Sequence, residues 1–343
     1  MLFKLPLTEL LMQPSNESFF THKLSDAIAT TDLASRLTSL LLVGCNQLDT
    51  FFASTVPLPK LTKLILNLRD ASDSTFSAFA SATQRGVFPA LQHLQIAFSR
   101  SFPRPTNEIL LDLPAVYQHC PDLQAFICNV ELFAAREVAR LTASGKLQCL
   151  HIDCEDIDDD ILSALRCCPL LRTLKIFADK SDFYSRLVDV CTSIVDLHLR
   201  LNCKNARNNH LRPLLEALAP NLQRLRITPY DQFVETTYGL AGVLPLSDGA
   251  FIGISFPRLK YLELIDVPVS NSFLQQLPAQ CPMMTGIKIV LNSRITAHGV
   301  VALFQCRRLR AIKIENCKVR KSDLQLELDK SSFKGKLDCP GLF

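Results

Sequence analysis

The chain contains no tryptophan and only 5 tyrosines and 11 glycines among its 343 residues. It has no uninterrupted apolar run near the roughly 18 residues that a membrane-spanning helix needs, so no transmembrane helix is expected. Residues 1–13 include Lys4, Pro6 and Glu9 among their leucines, and no small-residue cleavage site follows, so we expect no secretory signal. The net charge of +4 is too small to indicate a nucleic-acid-binding protein by itself.

Recognisable catalytic motifs are also missing. The sequence contains no nucleophile elbow, phosphate-binding loop or zinc-protease motif, so the chain is not expected to be an enzyme. Cys149, His151 and Cys154 lie beside the acidic run 153–160, but no second cysteine pair stands at zinc-site spacing. The acidic run also lacks the glycine of a calcium loop, so we interpret it as the start of a helix. No metal or other cofactor is expected.

The chain does have 13 cysteines, and 48% of its residues are hydrophobic. That apolar content is sufficient for a packed core and argues against disorder as the main state. Because no secretory signal is expected, we predict reduced thiols and a cytoplasmic or nuclear location.

A short pattern recurs along almost the whole chain: apolar, two residues, apolar, one residue, apolar. Successive copies start 23 to 37 residues apart. The eleven copies begin at Leu37, Leu61, Leu91, Leu123, Leu147, Leu171, Ile194, Leu222, Leu259, Met284 and Leu309. Most spacings fall within the range of about 20–29 residues that is typical of leucine-rich repeats.

The alternation inside each copy predicts a strand. Leu174 and Ile176 point to one side of an extended segment and Lys175 points to the other. Stacked copies would bury their apolar sides in one shared core, and the segments between them have helical spacing. The sequence therefore predicts an α/β leucine-rich-repeat solenoid, a horseshoe of about eleven repeats. Its parallel strands would line the concave face, and its helices would cover the convex face.

This pattern also divides the chain. We expect residues 1–36 to form a degenerate N-terminal repeat or cap. Residues 37–328 would form the leucine-rich-repeat domain, with an insertion loop at about 235–255. Residues 329–343 would form a C-terminal tail.

Cysteines recur at fixed places in the repeat. Cys120, Cys168, Cys191, Cys281 and Cys306 each lie three residues before a repeat start. Cys45 and Cys317 lie eight residues after theirs, where Asn202 and Asn292 stand in other copies. A thiol or amide there can donate to backbone carbonyls inside the turn.

The resulting motif, Cys-Pro-x-Leu-x-x-Leu-x-Ile followed by Cys or Asn, resembles the cysteine-containing subclass of leucine-rich repeats. This subclass is typical of F-box/LRR proteins, the substrate receptors of cullin-based (SCF) ubiquitin ligases. The variants at Phe88-Pro89 and Phe256-Pro257 are similar to F-box/LRR-like proteins of fungi. The resemblance implies a role in ubiquitin-dependent protein catabolism, with a protein substrate and the cullin-ligase adaptor as partners.

The chain departs from that family in one respect. An F-box usually opens with Leu-Pro and contains tryptophan, whereas here only residues 1–36 precede the first repeat, with Leu5-Pro6 as a partial echo. The alternative is a free-standing leucine-rich-repeat scaffold or inhibitor with no link to a ubiquitin ligase.

The side chains between the core positions should face a partner. The predicted concave face is mixed or apolar in the first half of the chain, with Leu41, Ile65 and Ile127, and basic in the second half. The predicted partner-binding residues are Arg172, Lys175, Arg200, Arg224, Arg226, Lys260, Lys288, Arg310 and Lys313. They suggest recognition of an acidic or phosphorylated protein segment. The alternative is a solvated charged surface without a specific ligand. Nucleic acid and membrane are not expected partners.

The predicted insertion loop is a second candidate for partner binding. It contains four glycines together with Tyr238, Leu240 and Phe251. Loops that leave a solenoid often bind partners. The alternative is an insertion without a binding role, which explains the same composition.

Overall fold

The computed structural model describes most of the 343 residues. The described ranges are 8–12, 18–44, 48–68, 73–98, 116, 118–128, 145–153, 159–178, 182–190, 192–202, 208–229, 246–317, 319–331 and 333–339. The chain divides into two compact units. The N-terminal unit comprises Met1–Cys154 and Asp158–Leu171, and the C-terminal unit comprises Glu155–Ile157 and Arg172–Phe343.

The N-terminal unit contains strands β1 to β6, which pair in parallel and in chain order. The strands are β1 (Glu9–Met12), β2 (Ser39–Val43), β3 (Lys63–Leu68), β4 (His93–Phe98), β5 (Ala125–Cys128) and β6 (Cys149–Asp153). The helices are α1 (Ser18–Thr30), α2 (Leu33–Arg36), α3 (Leu48–Ser54), α4 (Asp73–Gln84) and α5 (Asp159–Arg166).

The C-terminal unit repeats this arrangement with β7 to β13, again parallel and in chain order. The strands are β7 (Thr173–Ala178), β8 (Asp196–Leu201), β9 (Arg224–Pro229), β10 (Tyr261–Ile265), β11 (Gly286–Val290), β12 (Ala311–Glu315) and β13 (Lys336–Asp338). The helices are α6 (Asp182–Arg186), α7 (Asn208–Leu218), α8 (Asn271–Gln280), α9 (Ala297–Ala302) and α10 (Lys321–Lys330). Short 3-10 turns cover Leu187–Asp189, Asp248–Ala250 and Leu303–Gln305.

The predicted fold class is confirmed: the chain is an α/β leucine-rich-repeat solenoid. Strands β2 to β12 each begin within one of the eleven repeat motifs, and alternate residues are mostly buried. In β8, Leu197, Leu199 and Leu201 are at most 1% exposed, whereas the polar residues between them are partly exposed. Helical segments connect most of the successive parallel strands, as a parallel sheet requires. Their apolar residues, such as Ile161 and Leu165 of α5, are buried as well.

The described residues form thirteen strands, two more than the eleven sequence motifs. The first additional strand, β1, lies inside the segment 1–36 that was predicted to be a degenerate repeat or cap, and it pairs with β2. The second, β13, lies inside the predicted tail 329–343, and it pairs with β12. Neither has the full Leu-rich motif, and both are short.

A left-handed residue follows several strands. Gly44, Asp266, Leu291 and Asn316 have φ angles of 65°, 55°, 58° and 52°, directly after β2, β10, β11 and β12. The amide of Asp266 donates to the carbonyl of Val290 at 3.0 Å, and that of Leu291 donates to Glu315 at 3.0 Å. After β10 and β11, this conformation therefore extends the hydrogen bonding between repeats by one residue beyond the strand.

None of the helices in the described ranges is both long and apolar enough to cross a membrane.

Candidate functional site

The C-terminal unit presents polar side chains on one side of its sheet. Burial alternates along β8, β10 and β12, so the residues between the core positions are partly or fully exposed. Parallel sheets usually have helices packed against both faces, and their strands are then apolar on both sides. A parallel sheet with charged side chains on one face departs from this pattern, and that face is a candidate binding surface. We call this surface the exposed strand face. It consists of Thr173, Lys175, Asp196, His198, Arg200, Arg224, Arg226, Thr228, Tyr261, Glu263, Ile265, Lys288, Val290, Ala311, Lys313 and Glu315.

Strand register aligns the middle residues of this face into one row across seven strands. The row runs through Lys175, His198, Arg226, Glu263, Lys288, Lys313 and Asp338, each directly paired with the next. Adjacent strands are about 4.8 Å apart, so neighbouring side chains in the row are within contact distance.

Glu263 is the charged centre of the row. Its Oε1 accepts a hydrogen bond from Lys288 Nζ at 2.9 Å. Its Oε2 lies 3.6 Å from Nε of Arg226, an ion pair that is too long for a hydrogen bond. The Glu263 side chain is only 14% exposed. Two of the predicted partner-binding cations are therefore held by a largely buried carboxylate of the same face.

Two further cations of the face have acidic partners. Arg224 Nη1 lies 3.4 Å from Asp196 Oδ2, and Lys313 Nζ lies 2.8 Å from Glu315 Oε1. The hydrogen bond and the negative charge of Glu315 raise the pKa of Lys313. Among the described residues, at least four of the nine predicted cations are ion-paired. Because Asp196, Glu263 and Glu315 lie on the same surface as these cations, its charge is mixed.

The remaining predicted cations lie at the edges of this face. Arg172, Lys260 and Arg310 each lie directly before the first residue of a strand, and all three residues are exposed. Lys260 Nζ donates to Oε1 of Gln223 at 3.0 Å. Lys175 and Arg200 lie on β7 and β8 themselves and are partly exposed.

Tyr261 is the aromatic residue of the face. Its ring edge lies 2.9 Å from where a Cβ of Gly286 would be, so only glycine fits beside it on β11. The guanidinium carbon of Arg226 lies 5.9 Å from the ring centroid. Burial, followed by the charge of Glu263, raises the pKa of the Tyr261 hydroxyl. Tyrosine and arginine in such packed arrangements are frequent hot spots of protein interfaces.

The N-terminal unit has a different row. Leu41, Ile65, Gln95, Ile127 and His151 are paired in register across β2 to β6, and all are partly exposed. This composition is mainly apolar, in contrast to the charged row of the C-terminal unit.

The predicted insertion loop lies only partly within the described residues. Tyr238 and Leu240 lie outside the described ranges. Phe251 is described and is 1% exposed, with its ring centroid 5.1 Å from that of Phe273. Phe251 is therefore a core residue rather than a contact residue for a partner.

The end of the insertion is fixed to α7. Asn208 Nδ2 donates to Ser247 Oγ at 2.7 Å, and Ser247 N donates to Asn208 Oδ1 at 3.0 Å. Arg212 Nη1 donates to the carbonyls of Gly249 and Ile252 at 3.1 and 2.9 Å. These bonds hold the segment before β10 against the preceding helix.

Within the described part of the chain, no group of three or more His, Cys, Asp or Glu side chains could hold a metal ion. Cys149 and His151 lie on β6, whereas Cys154 lies outside the described ranges.

A second group of cations, which the repeat motif does not predict, consists of Arg307, Arg308, Lys334 and Lys336. They line a cleft next to β12 and β13, together with Arg310. The adjacent arginines directly before the last repeat motif were the signal that could have revealed them. All four residues lie outside the motif positions, so the repeat pattern alone does not place them on a shared surface.

No protein-family model matches the chain, and no curated protein matches it. Matching solved structures include an internalin from Listeria monocytogenes, at 15% identity and a TM-score of 0.45, over 91% of this chain and 76% of that one. They also include the leucine-rich repeat-containing protein LegL7 from Legionella pneumophila, at 13% identity and a TM-score of 0.46. That match covers 96% of this chain and 98% of that one.

Proposed function

We propose that the chain is a non-catalytic protein-recognition module that binds a partner protein on the exposed strand face of its C-terminal unit. The observation that supports this function is the aligned row of partly exposed polar side chains on a parallel sheet. The strands hold these side chains in fixed register, so the surface is organised before a partner arrives. Preorganisation reduces the entropy that binding must overcome.

The dimensions of the row favour a macromolecular partner. Six strand spacings of about 4.8 Å give a row about 29 Å long, which suits an extended segment or a folded surface. Tyr261 and Arg226 supply a packed centre, and charged residues surround them. Such an arrangement of anchors within a polar rim is typical of protein interfaces.

The charge pattern determines which partners fit. Because Glu263, Asp196 and Glu315 neutralise part of the positive charge, the face should select a partner with complementary charges of both signs. Opposite charges across an interface mainly provide specificity and faster encounter. An acidic segment would meet unpaired positive charge chiefly at the edges of the face, near Arg172 and Arg310.

The more specific role, that of a substrate receptor for a cullin-based ubiquitin ligase, depends on the resemblance of the Cys-Pro-x-Leu repeat. The rival role is a free-standing scaffold or inhibitor. One structural observation bears on this choice: α1 packs against α3, and Ser25 Oγ and Ser54 Oγ share a hydrogen bond of 2.7 Å. The segment around α1 is thus engaged with the repeats, and docking of an adaptor there would have to use its outer surface.

Affinity capture from the native cells tests the proposal. The wild-type chain is compared with Arg172→Glu/Arg224→Glu, which reverses two exposed cations of the C-terminal unit. The matched control, Lys60→Glu/Arg166→Glu, makes the same charge change at exposed sites of the N-terminal unit. We expect a partner that the wild type and the control both retain and that the test variant loses. Equal capture by the test variant, at an unchanged melting temperature, would contradict the proposal.

The same capture distinguishes the two specific roles. Stoichiometric recovery of the cullin adaptor with the wild-type chain would favour the substrate receptor. Recovery of a partner without adaptor or cullin would favour the free-standing scaffold.

A further inference from the structure

A cleft of about 660 Å³ lies at the strand-entry side of the last repeats in the C-terminal unit. One wall is the turn at Arg307 and Arg308, which leads from the 3-10 turn Leu303–Gln305 into β12. The other wall is residues 333–336, which lead into β13. We name this cavity the cationic cleft, after its lining residues Arg307, Arg308, Arg310, Lys334 and Lys336.

The two walls are held at a fixed separation. Lys336 N donates to the carbonyl of Arg310 at 2.7 Å. A Cβ on Gly335 would lie 2.5 Å from the Arg310 carbonyl oxygen and would also overlap the ring of Phe333. Glycine is therefore required at position 335, because it lets the backbone of one wall lie directly against the other.

The floor of the cleft is apolar. The rings of Phe304 and Phe333 stack with their centroids 5.3 Å apart and an interplanar angle of 20°. Cys306 and Leu309, which also line the cavity, are 7% and 5% exposed. An apolar floor under a polar rim gives a ligand both a hydrophobic contact and an electrostatic one.

The charge of the cleft differs from that of the exposed strand face. Its lining includes five cationic side chains and, within the described residues, no carboxylate. None of these five forms an ion pair with another described residue, whereas Arg226, Lys288 and Lys313 of the strand face all do. Five like charges around one small cavity repel each other, and an anion bound between them would relieve this repulsion.

We propose that the cationic cleft binds the phosphate group of a phosphorylated peptide segment. Arginine presents its N–H groups as a planar fork that matches phosphate oxygens, and two adjacent arginines can contact one phosphate from different sides. The aromatic floor accommodates an apolar side chain beside the phosphorylated residue. This proposal rests on the proposed function, because it specifies what part of a partner protein is recognised.

The shape of the cleft favours a peptide over a nucleic acid. The cations surround one cavity instead of following a track along which successive phosphates could lie. The rings of Phe304 and Phe333 in the floor stack on each other. One face of each ring is therefore already occupied, which leaves less aromatic surface for stacking with a nucleic-acid base.

The experiment uses the full chain and immobilised nine-residue peptides with randomised flanks. One set has a central phosphoserine and the other a central serine. Binding constants for the best peptides are then measured in solution. We expect at least tenfold tighter binding of the phosphorylated form, about the effect of one charge-assisted hydrogen bond. Arg308→Gln/Lys334→Gln should remove most of this difference, and the control Lys60→Glu/Arg166→Glu should keep it.

Several outcomes would overturn the proposal. Equal binding of both peptide sets would exclude phosphate recognition. Inorganic phosphate that competes as strongly as the phosphopeptide would show an anion site without peptide recognition. Tighter binding of a single-stranded 20-nucleotide DNA, lost in the same glutamine variant, would assign the cleft to nucleic acid.

Failure here is distinguishable from failure of the proposed function. If partner capture still depends on Arg172 and Arg224 but not on Arg308 and Lys334, the strand face is a recognition surface and the cleft is not. The glutamine variant should keep the wild-type melting temperature, since its two side chains are exposed.

Discussion

Asn292 of one repeat donates a hydrogen bond from Nδ2 to the backbone carbonyl of Val267 in the preceding repeat, at 2.9 Å. The same amide nitrogen donates to Val269 O at 3.0 Å, and Oδ1 accepts from Arg294 N at 2.9 Å. The side chain is 1% exposed. At the equivalent place in the next repeat, the Cys317 thiol donates to Glu315 O at 3.3 Å. This position therefore satisfies buried backbone groups inside the turn.

Replacement of Asn292 by alanine should destabilise the chain. Two buried carbonyls and one amide would lose their partner, which should lower the free energy of unfolding by about 2 to 3 kcal/mol. Urea denaturation measures this change. The control Asn209→Ala alters an exposed residue of α7 and should be neutral or slightly stabilising. Equal effects of the two substitutions would show that the buried hydrogen bonds of Asn292 contribute little.

Asp266 should make stability depend on pH. It is 7% exposed, and its Oδ2 has no hydrogen-bond partner among the described residues. Burial raises its pKa above the ordinary value of 3.8. The folded state therefore favours the neutral acid. This contribution to stability is present below pH 3.8 and is lost as the pH rises through the folded-state pKa.

Asp266→Asn should accordingly raise the free energy of unfolding at pH 7 by about 1 kcal/mol, because it removes a buried charge. Asparagine also tolerates the φ angle of 55°. The advantage should shrink as the pH approaches 3.8 in a series of denaturation curves. Asp189→Asn, an exposed position, is the control. A gain that did not change with pH would mean that the charge of Asp266 is not its source.

Leu291 has a strained backbone. Its φ angle is 58°, a left-handed conformation that costs a residue with a Cβ about 1 to 2 kcal/mol. Leu291→Gly and Leu291→Ala remove nearly the same side-chain contacts, but only glycine removes the strain. The glycine variant should be the more stable of the two by about 1 kcal/mol. If alanine were equally stable in thermal unfolding, the strain would be absent.

Glu263→Gln should affect stability and binding in opposite directions. Without the carboxylate, Lys288 and the half-buried Arg226 lose their acidic partner, and the free energy of unfolding should fall by about 1 to 2 kcal/mol. The exposed strand face also becomes more positive, so it should bind an acidic partner faster at low salt. The measurements are urea denaturation and the association rate of the captured partner at two salt concentrations. An association rate that the substitution does not change would show that the partner binds outside the exposed strand face.

The cysteines should differ widely in reactivity. Burial raises the pKa of Cys120, Cys281 and Cys306 to about 12, whereas Cys167 is exposed. Only the thiolate reacts, so the Cys167 peptide should be alkylated by iodoacetamide at pH 8 well before the other three. Peptide mass spectrometry over time measures the order. Alkylation of Cys281 at a similar rate in the folded chain would contradict its burial.

The sequence was sufficient to predict the strands, because the apolar residues of each repeat motif mark the positions that are buried. The motif that starts at Leu171 led to the strand Thr173–Ala178, with Leu174 and Ile176 fully buried. The role of the Asn292 position could also be predicted, since Cys45, Asn202 and Cys317 stand at the same place in other copies of the repeat.

The ion pairs of Glu263 were not predicted. Leu222 and Leu259 are separated by the longest spacing in the chain, so the sequence alone did not establish how β9 would align with β10. The cationic cleft was missed for a different reason. Lys336 begins a strand without the full motif, and Lys334 lies two residues before it. The close backbone approach at Gly335 and the pairing of β12 with β13 bring this segment beside Arg310.

Within each unit, every described strand is hydrogen-bonded only to the strands of adjacent repeats. A repeat can therefore complete its contacts as soon as its neighbour has formed, without a search for distant parts of the chain. Folding can begin at any well-packed repeat and spread outward from it. A harmful substitution should accordingly fray a few repeats at most, and amide exchange would show such damage as a local patch instead of a global loss.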